Sequence, residues 1–89
     1  MNDERRKRID RIKERIEGIV AELSEIRDEV VDVQSEEQQY LDAMPENMAS
    51  GERAERAQSA IDNLEGALDE LDVESGLNDA LESLESAKE

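Results

Sequence analysis

The chain has 89 residues, and 26 aspartates and glutamates outnumber its 11 lysines and arginines, which gives a net charge of −15. It contains neither cysteine nor histidine, so disulfides, thiol and imidazole catalysis and the usual zinc sites are excluded. No apolar run approaches the length of a membrane span, and the N-terminus lacks the apolar core of a signal peptide. We therefore expect a soluble, intracellular, single-domain protein whose own core is small.

A heptad repeat runs through the first half of the chain. Apolar residues alternate three and four positions apart, and after an interruption at Glu37 the repeat resumes at Tyr40 and Met44. Such spacing is typical of a long helix in a coiled coil. Pro45 ends it, because proline lacks an amide hydrogen and disfavours helix in the residue before it. We predict a first helix at 3–44, with Ile9, Ile16, Leu23 and Val30 at heptad position a and Ile12, Ile19, Ile26 and Val33 at position d.

Two further helical segments follow the proline. Apolar residues at helical spacing run from Ala57 to Leu71. Leu77 then follows after six residues, a distance that fits no helical repeat, and Gly76 lies at this break with Ser75 as a cap for the restart. We predict a connector at 45–51, a second helix at 52–72 and a short third helix at 76–87, or else one kinked helix over 52–87.

Charge is unevenly distributed along the sequence. Residues 1–15 carry seven bases and four acids, a net of +3, whereas the rest of the chain carries four bases and 22 acids, a net of −18. The short connector favours antiparallel neighbours, so we predict an all-α antiparallel helical hairpin with coiled-coil packing in a single domain at 1–89. A basic first turn opposes the helix dipole, and in this hairpin the acidic C-terminal end is the neighbour expected to balance it.

A second copy of the first helix is another acidic neighbour for the basic turn. In an antiparallel pair of helices, heptad position g faces position g of the partner. Arg8 would then meet Glu36, and Arg15 would meet Glu29. Exposed ion pairs are weak individually, about 0.2–1 kcal/mol, so they select an orientation more than they stabilise it.

The apolar stripe of the first helix is wider than one neighbouring helix covers, because Val20, Val31 and Leu41 lie beside the heptad positions. A dimeric four-helix bundle would cover the remainder, with Ile9 facing Val33 of the second copy. We predict an antiparallel homodimer whose interface consists of Ile9, Ile12, Ile16, Ile19, Leu23, Ile26, Val30 and Val33.

No pattern in the sequence indicates an enzyme. It contains neither a glycine-rich phosphate loop nor the Glu-x-x-His pair of a di-iron bundle, and an EF-hand loop around Gly76 would have to begin at Leu71, which is no ligand. We predict no catalytic residue, metal or cofactor. The basic run at 4–15 is typical of a phosphate contact, but the charge of −18 elsewhere argues against nucleic acid as a partner.

The connector and its flanks hold the most distinctive polar residues. Arg53 and Arg56 are the only bases between Arg27 and Lys88, and Tyr40 is the only aromatic residue. Near the start of the second helix these side chains could bind an anion or a carboxylate of a partner, or they could serve only local pairing and packing. The candidate ligand-binding or partner-binding residues are Tyr40, Asn47, Ser50, Arg53 and Arg56, and Ser50 is also the candidate N-cap of the second helix.

Residues 36–72, EEQQYLDAMPENMASGERAERAQSAIDNLEGALDELD, resemble a group of small uncharacterised acidic helical proteins encoded by bacteriophages, prophages and other bacterial mobile elements. The resemblance lies in Tyr40, the run from Met44 to Asn47, the Glu52-Arg53 helix start and the acidic repeat that follows. It implies a bacterial or phage origin, a location in the cytoplasm of the bacterial host and an accessory role. No activity comes with it for particular residues.

Three functions are therefore expected. The leading one is a non-enzymatic, homo-oligomeric protein-binding accessory protein, such as a phage-type inhibitor of a host or defence protein that acts through an acidic helical surface. The alternatives are an oligomeric sponge that binds an anionic nucleotide at the connector or oligomer interface, and a purely structural coiled-coil scaffold.

Overall fold

The computed structural model describes residues 1–89 and contains helices and turns but no strand. The all-α helical hairpin predicted from the sequence is confirmed. None of the helices combines the length and apolar composition that crossing a membrane requires. The elements in chain order are α1 at Asp3–Asp42, a short 3-10 helix at Glu46–Met48, α2 at Glu52–Glu70 and α3 at Glu74–Ala87.

Helix α1 has 40 residues, with Asn2 directly before it and Pro45 shortly after it. At the start, the Asn2 side-chain oxygen accepts a hydrogen bond from the Arg5 amide at 2.8 Å, which satisfies a donor that the helix leaves free. At the other end α1 stops at Asp42, two residues before the predicted limit. Met44 precedes Pro45 and is therefore disfavoured in helical conformation; its amide closes a tighter turn with the Leu41 carbonyl at 3.2 Å.

The connector is folded into tight turns rather than extended. The Met48 amide donates to the Pro45 carbonyl at 2.8 Å, and the Gly51 amide donates to the Met48 carbonyl at 3.0 Å. Gly51 is the N-cap of α2 and makes no side-chain capping bond, so the assignment of Ser50 as the cap was wrong. The 3-10 turn places Gly51, the residue after Ser50, at the N-terminus of α2.

The break between α2 and α3 lies earlier than Gly76. Helix α2 ends at Glu70, the next helix begins at Glu74, and Val73 is its N-cap, so Gly76 and Ser75 lie inside α3. One continuous helix would separate Leu71 and Leu77 by about 240° around its axis. Because the helix is interrupted between them, both leucines are half-buried.

The chain divides into two compact units. One unit is residues 26–71, in which the second part of α1 packs against α2 around buried Ala54, Ala57, Ile61 and Leu68. The other is residues 1–25 together with 72–89, in which the first part of α1 packs against α3 and Leu23 is buried. Leu23, the two alanines, Ile61 and Leu68 form the entire buried apolar core, and no polar residue is buried.

Candidate functional site

Helix α1 turns two of its heptad rows toward the rest of the chain. The covered rows are positions a and e, which lie about 40° apart around a helix that advances 100° per residue. This is not the a and d seam that the heptad repeat predicts. The less exposed residues of α1 and the turn after it are Arg6, Ile9, Lys13, Ile16, Val20, Leu23, Arg27, Val30, Gln34, Glu37, Leu41 and Met44.

Polar side chains in the covered e row reach the neighbouring helix. In the unit of residues 26–71, the Gln34 amide nitrogen donates to the Ile61 carbonyl at 3.3 Å and to the Glu65 carboxylate at 2.9 Å. Arg27 is placed less favourably, because its buried Nε has no hydrogen-bond partner. The e row therefore combines hydrogen bonds to α2 with one uncompensated polar atom.

In the other unit, basic residues of α1 hold the end of α3. Lys13 Nζ lies 2.5 Å from Glu85 Oε2, and Lys88 Nζ lies 2.8 Å from Asp10 Oδ1. The hydrogen bond from Lys13, aided by Lys88, holds the pKa of Glu85 below its ordinary value, and the hydrogen bond to Asp10, aided by Glu85, raises the pKa of Lys88. The prediction that the acidic C-terminal end is the neighbour of the basic first turns is confirmed for this pair of helices.

Position d of α1, which we call the d row, is exposed along the helix. Its five members are large and apolar or aromatic, and each keeps roughly 40–55% of its surface open, whereas an a residue such as Leu23 keeps 8%. The row lies about 80° around the helix from the middle of the covered face. Its members and their exposed fractions are Ile12 43%, Ile19 55%, Ile26 39%, Val33 52% and Tyr40 49%.

Charged residues border the d row and change sign along it. Position g supplies one neighbour four residues before each d residue and another three residues after it. Ile12 is bordered by Arg8 and Arg15, which together with Arg11 line a shallow pocket around it. Further along, all g positions bordering Ile26 and Val33 are glutamates. These residues are Glu22, Glu29 and Glu36, and neither they nor Arg8, Arg11 and Arg15 take part in an ion pair within the chain.

The eight residues predicted as the oligomer interface are therefore divided between two surfaces. Ile9, Ile16 and Val30 are half-buried and Leu23 is buried by contacts within the chain. Ile12, Ile19, Ile26 and Val33 are exposed. The sequence reasoning missed the covered e row, although Val20 and Leu41, which were recognised as widening the stripe, both lie in it.

The structure brings together only two of the five residues proposed at the connector. Tyr40 and Arg53 line a pocket of about 270 Å³ whose other walls are apolar: Ala43, Met44, Pro45 and Met48. Asn47 and Ser50 are exposed and do not line it. Arg56 is paired with Glu52, one turn earlier on α2. No group of three or more acidic side chains is arranged to hold a metal ion.

No protein-family model, curated protein or solved structure matches the chain.

Proposed function

We propose that this chain is a non-enzymatic protein-binding protein that acts through the d row of α1. The observation that carries this proposal is the row itself, in which five large side chains at seven-residue spacing remain uncovered on one helix. Scattered exposed apolar residues are ordinary, but a contiguous apolar surface bordered by charge is typical of a protein–protein contact.

The first partner that we propose is a second copy of the chain, in a dimeric four-helix bundle. Each helix of such a bundle touches two neighbours about 90° apart around its axis, close to the 80° between the covered face of α1 and its d row.

The resemblance of residues 36–72 to phage and mobile-element proteins supports a further part of the proposal. In this part, the chain is an accessory protein of the bacterial cytoplasm that inhibits a host or defence protein by binding it. With a net charge of −15, the surface that the dimer leaves free favours a partner with a basic surface.

A small-molecule function is the second candidate, and the pocket shared by Tyr40 and Arg53 is the observation that favours it. An aromatic ring beside a guanidinium can hold a planar anion such as a nucleotide. The pocket presents only one cation, however, because Arg53 is the only base that lines it, and Arg56 lies outside it, paired with Glu52. We therefore rank this function below protein binding. The third candidate, a purely structural scaffold, applies if the chain binds no partner except a second copy of itself.

Sedimentation equilibrium tests the proposal with a matched pair of variants. Ile19→Asp places a charge in the d row, and Val31→Asp makes the same charge change on the same helix at an apolar residue that is 47% exposed outside the row. We expect a wild-type dimer at about 100 µM, a monomer for Ile19→Asp and a dimer for Val31→Asp. Circular dichroism should show equal helix content in all three. A wild-type monomer, or equal behaviour of the two variants, would contradict binding through the d row.

A further inference from the structure

We infer that two α1 helices pair antiparallel through their d rows, so that Ile19 of one copy faces Ile26 of the other and Ile12 faces Val33. This inference rests on the self-association proposed above and specifies the alignment of the two chains. The residue numbers of the two facing pairs have the same sum, so a two-fold axis between positions 22 and 23 relates the two helices. Each of the two contacts therefore occurs twice in the dimer.

The alignment follows first from which apolar residues are free. A register that pairs a with d of the partner, as the sequence suggested, needs Ile9, Ile16, Leu23 and Val30 at the interface. In the structure these a residues are already covered within the chain, and Leu23 is only 8% exposed. The d residues are the apolar side chains that remain available, so pairing occurs between d and d.

Charge and apolar cover together decide between the possible d-to-d registers. Ile12 is bordered by Arg8 and Arg15, and Val33 is bordered by Glu29 and Glu36. When these two d residues face each other, Arg8 meets Glu36 and Arg15 meets Glu29. The dimer contains each pair twice, giving four opposite-charge contacts against one contact of Glu22 with its own copy.

The competing registers are less favourable. Sliding the helices by one heptad so that Ile19 faces its own copy keeps opposite pairs, Arg8 with Glu29 and Arg15 with Glu22, but it sets Val33 against Arg5 and covers three d residues of each copy instead of four. Sliding the helices by one heptad so that Ile26 faces its own copy leaves only Arg15 and Glu36 as an opposite pair, and it sets Glu22 against Glu29 twice. A parallel pair places the basic first turns of both copies side by side. Like charges brought together disfavour these last two arrangements.

Engineered cysteines test the alignment without background, because the chain contains no cysteine. In the inferred register, position 19 faces position 26, whereas two copies of either position lie about 10 Å apart along the axis, beyond the reach of a disulfide. We expect Ile19→Cys and Ile26→Cys to form little linked dimer alone. Mixed in equal amounts and oxidised gently, they should form at least about ten times more.

Each of the other outcomes would contradict a different part of the inference. Linkage of only one variant to itself, either Ile26→Cys or Ile19→Cys, would establish a register shifted by one heptad and overturn the inference. Self-linkage of both variants would establish a parallel pair and overturn it as well. No linkage in a wild-type chain that sediments as a dimer would place the interface elsewhere and refute the register alone. A wild-type monomer would refute self-association itself.

Exchanging the charges of one proposed ion pair tests the alignment independently, in chains without engineered cysteines. Arg15→Glu should raise the dimer dissociation constant roughly tenfold at low salt, because two pairs are lost and repulsion replaces them. Adding Glu29→Arg in the same chain should restore most of the affinity. Lys7→Glu, which changes an exposed base at position f on the side of α1 away from the d row, is the matched control and should have a smaller effect. Failure of the double variant to recover would contradict the proposed pairs.

Discussion

Replacing Leu23 or Ile19 with alanine separates contacts within the chain from contacts between copies. The heptad pattern treats the two positions as equivalent parts of one seam. In the structure Leu23 is 8% exposed and Ile19 is 55% exposed. The two substitutions should therefore differ in size and in their dependence on protein concentration.

The expected magnitudes follow from burial. Leu23→Ala removes buried methyl groups and leaves a cavity, which should lower the free energy of unfolding by about 2–3 kcal/mol. The groups that Ile19→Ala removes are worth about 2 kcal/mol when fully buried, so the covered portion is worth about 1 kcal/mol. The better helix propensity of alanine returns about 0.4 kcal/mol, so the net loss in the monomer should be about 0.5 kcal/mol.

Urea unfolding followed by circular dichroism at 222 nm is the suitable assay, because the chain has no tryptophan and a single tyrosine. At about 1 µM, Leu23→Ala should be several times more destabilising than Ile19→Ala. At about 100 µM the wild type should gain stability by dimerising, and Ile19→Ala should weaken the dimer about 30-fold, since roughly 1 kcal/mol of burial is lost from each copy. Equal losses at the low concentration would refute the assignment of position d to a surface outside the hairpin.

Three further predictions concern single positions. Gly18→Ala should raise the free energy of unfolding by about 0.5–1 kcal/mol in the same assay, because the added Cβ meets no atom within 4 Å and glycine disfavours a helix interior. Arg27→Met should raise it by about 1 kcal/mol by removing the buried Nε that lacks a partner, whereas Arg11→Met, an exposed control of equal charge change, should have almost no effect. The Glu85 carboxyl, followed by carbon-detected NMR, should titrate below 4.5, and Lys88→Met should move its midpoint upward. Because the folded pKa of Glu85 is lowered, the stability that Glu85 contributes by holding α3 should be present above pH 4.5 and should be lost as the pH falls below 4.5. Because the pKa of Lys88 is raised, the stability that Lys88 contributes should be lost only as the pH rises above 10.5.

The sequence predicted the helices and the hairpin but not which face of α1 the hairpin uses. Position a belongs to both possible seams, and apolar composition favoured d as its companion. The structure instead covers position e, where Lys13 and Gln34 have apolar stems that pack and polar ends that bond α3 and α2, respectively. A hydrophobic pattern identifies side chains that leave water, but it does not state whether their neighbour lies in the same chain.

At the connector, the structure brings together only two of the five residues that the sequence grouped, Tyr40 and Arg53. Arg53 and Arg56 lie three residues apart on one helix, which suggested a joint anion site. Glu52 is four residues before Arg56, and that spacing forms an ion pair that occupies the second arginine. Tyr40 meets Arg53 only because the 3-10 turn brings the end of α1 back beside the start of α2, and such a turn is not encoded in a periodic pattern.

The contrast between positions d and e is the strongest reason to expect a partner for α1. If the hairpin were the only contact of α1, its covered e row should be the apolar one and its exposed d row the polar one. The chain has the reverse arrangement, with Lys13, Arg27 and Gln34 covered while Ile19 and Ile26 face water. In an isolated monomer the exchange would replace the Lys13 ion pair and the Gln34 hydrogen bonds by buried apolar side chains, and it would remove the uncompensated Arg27 Nε as well. When local composition opposes the fold in this way, the conflicting positions are expected to serve function, and a d row covered by a second helix resolves the conflict.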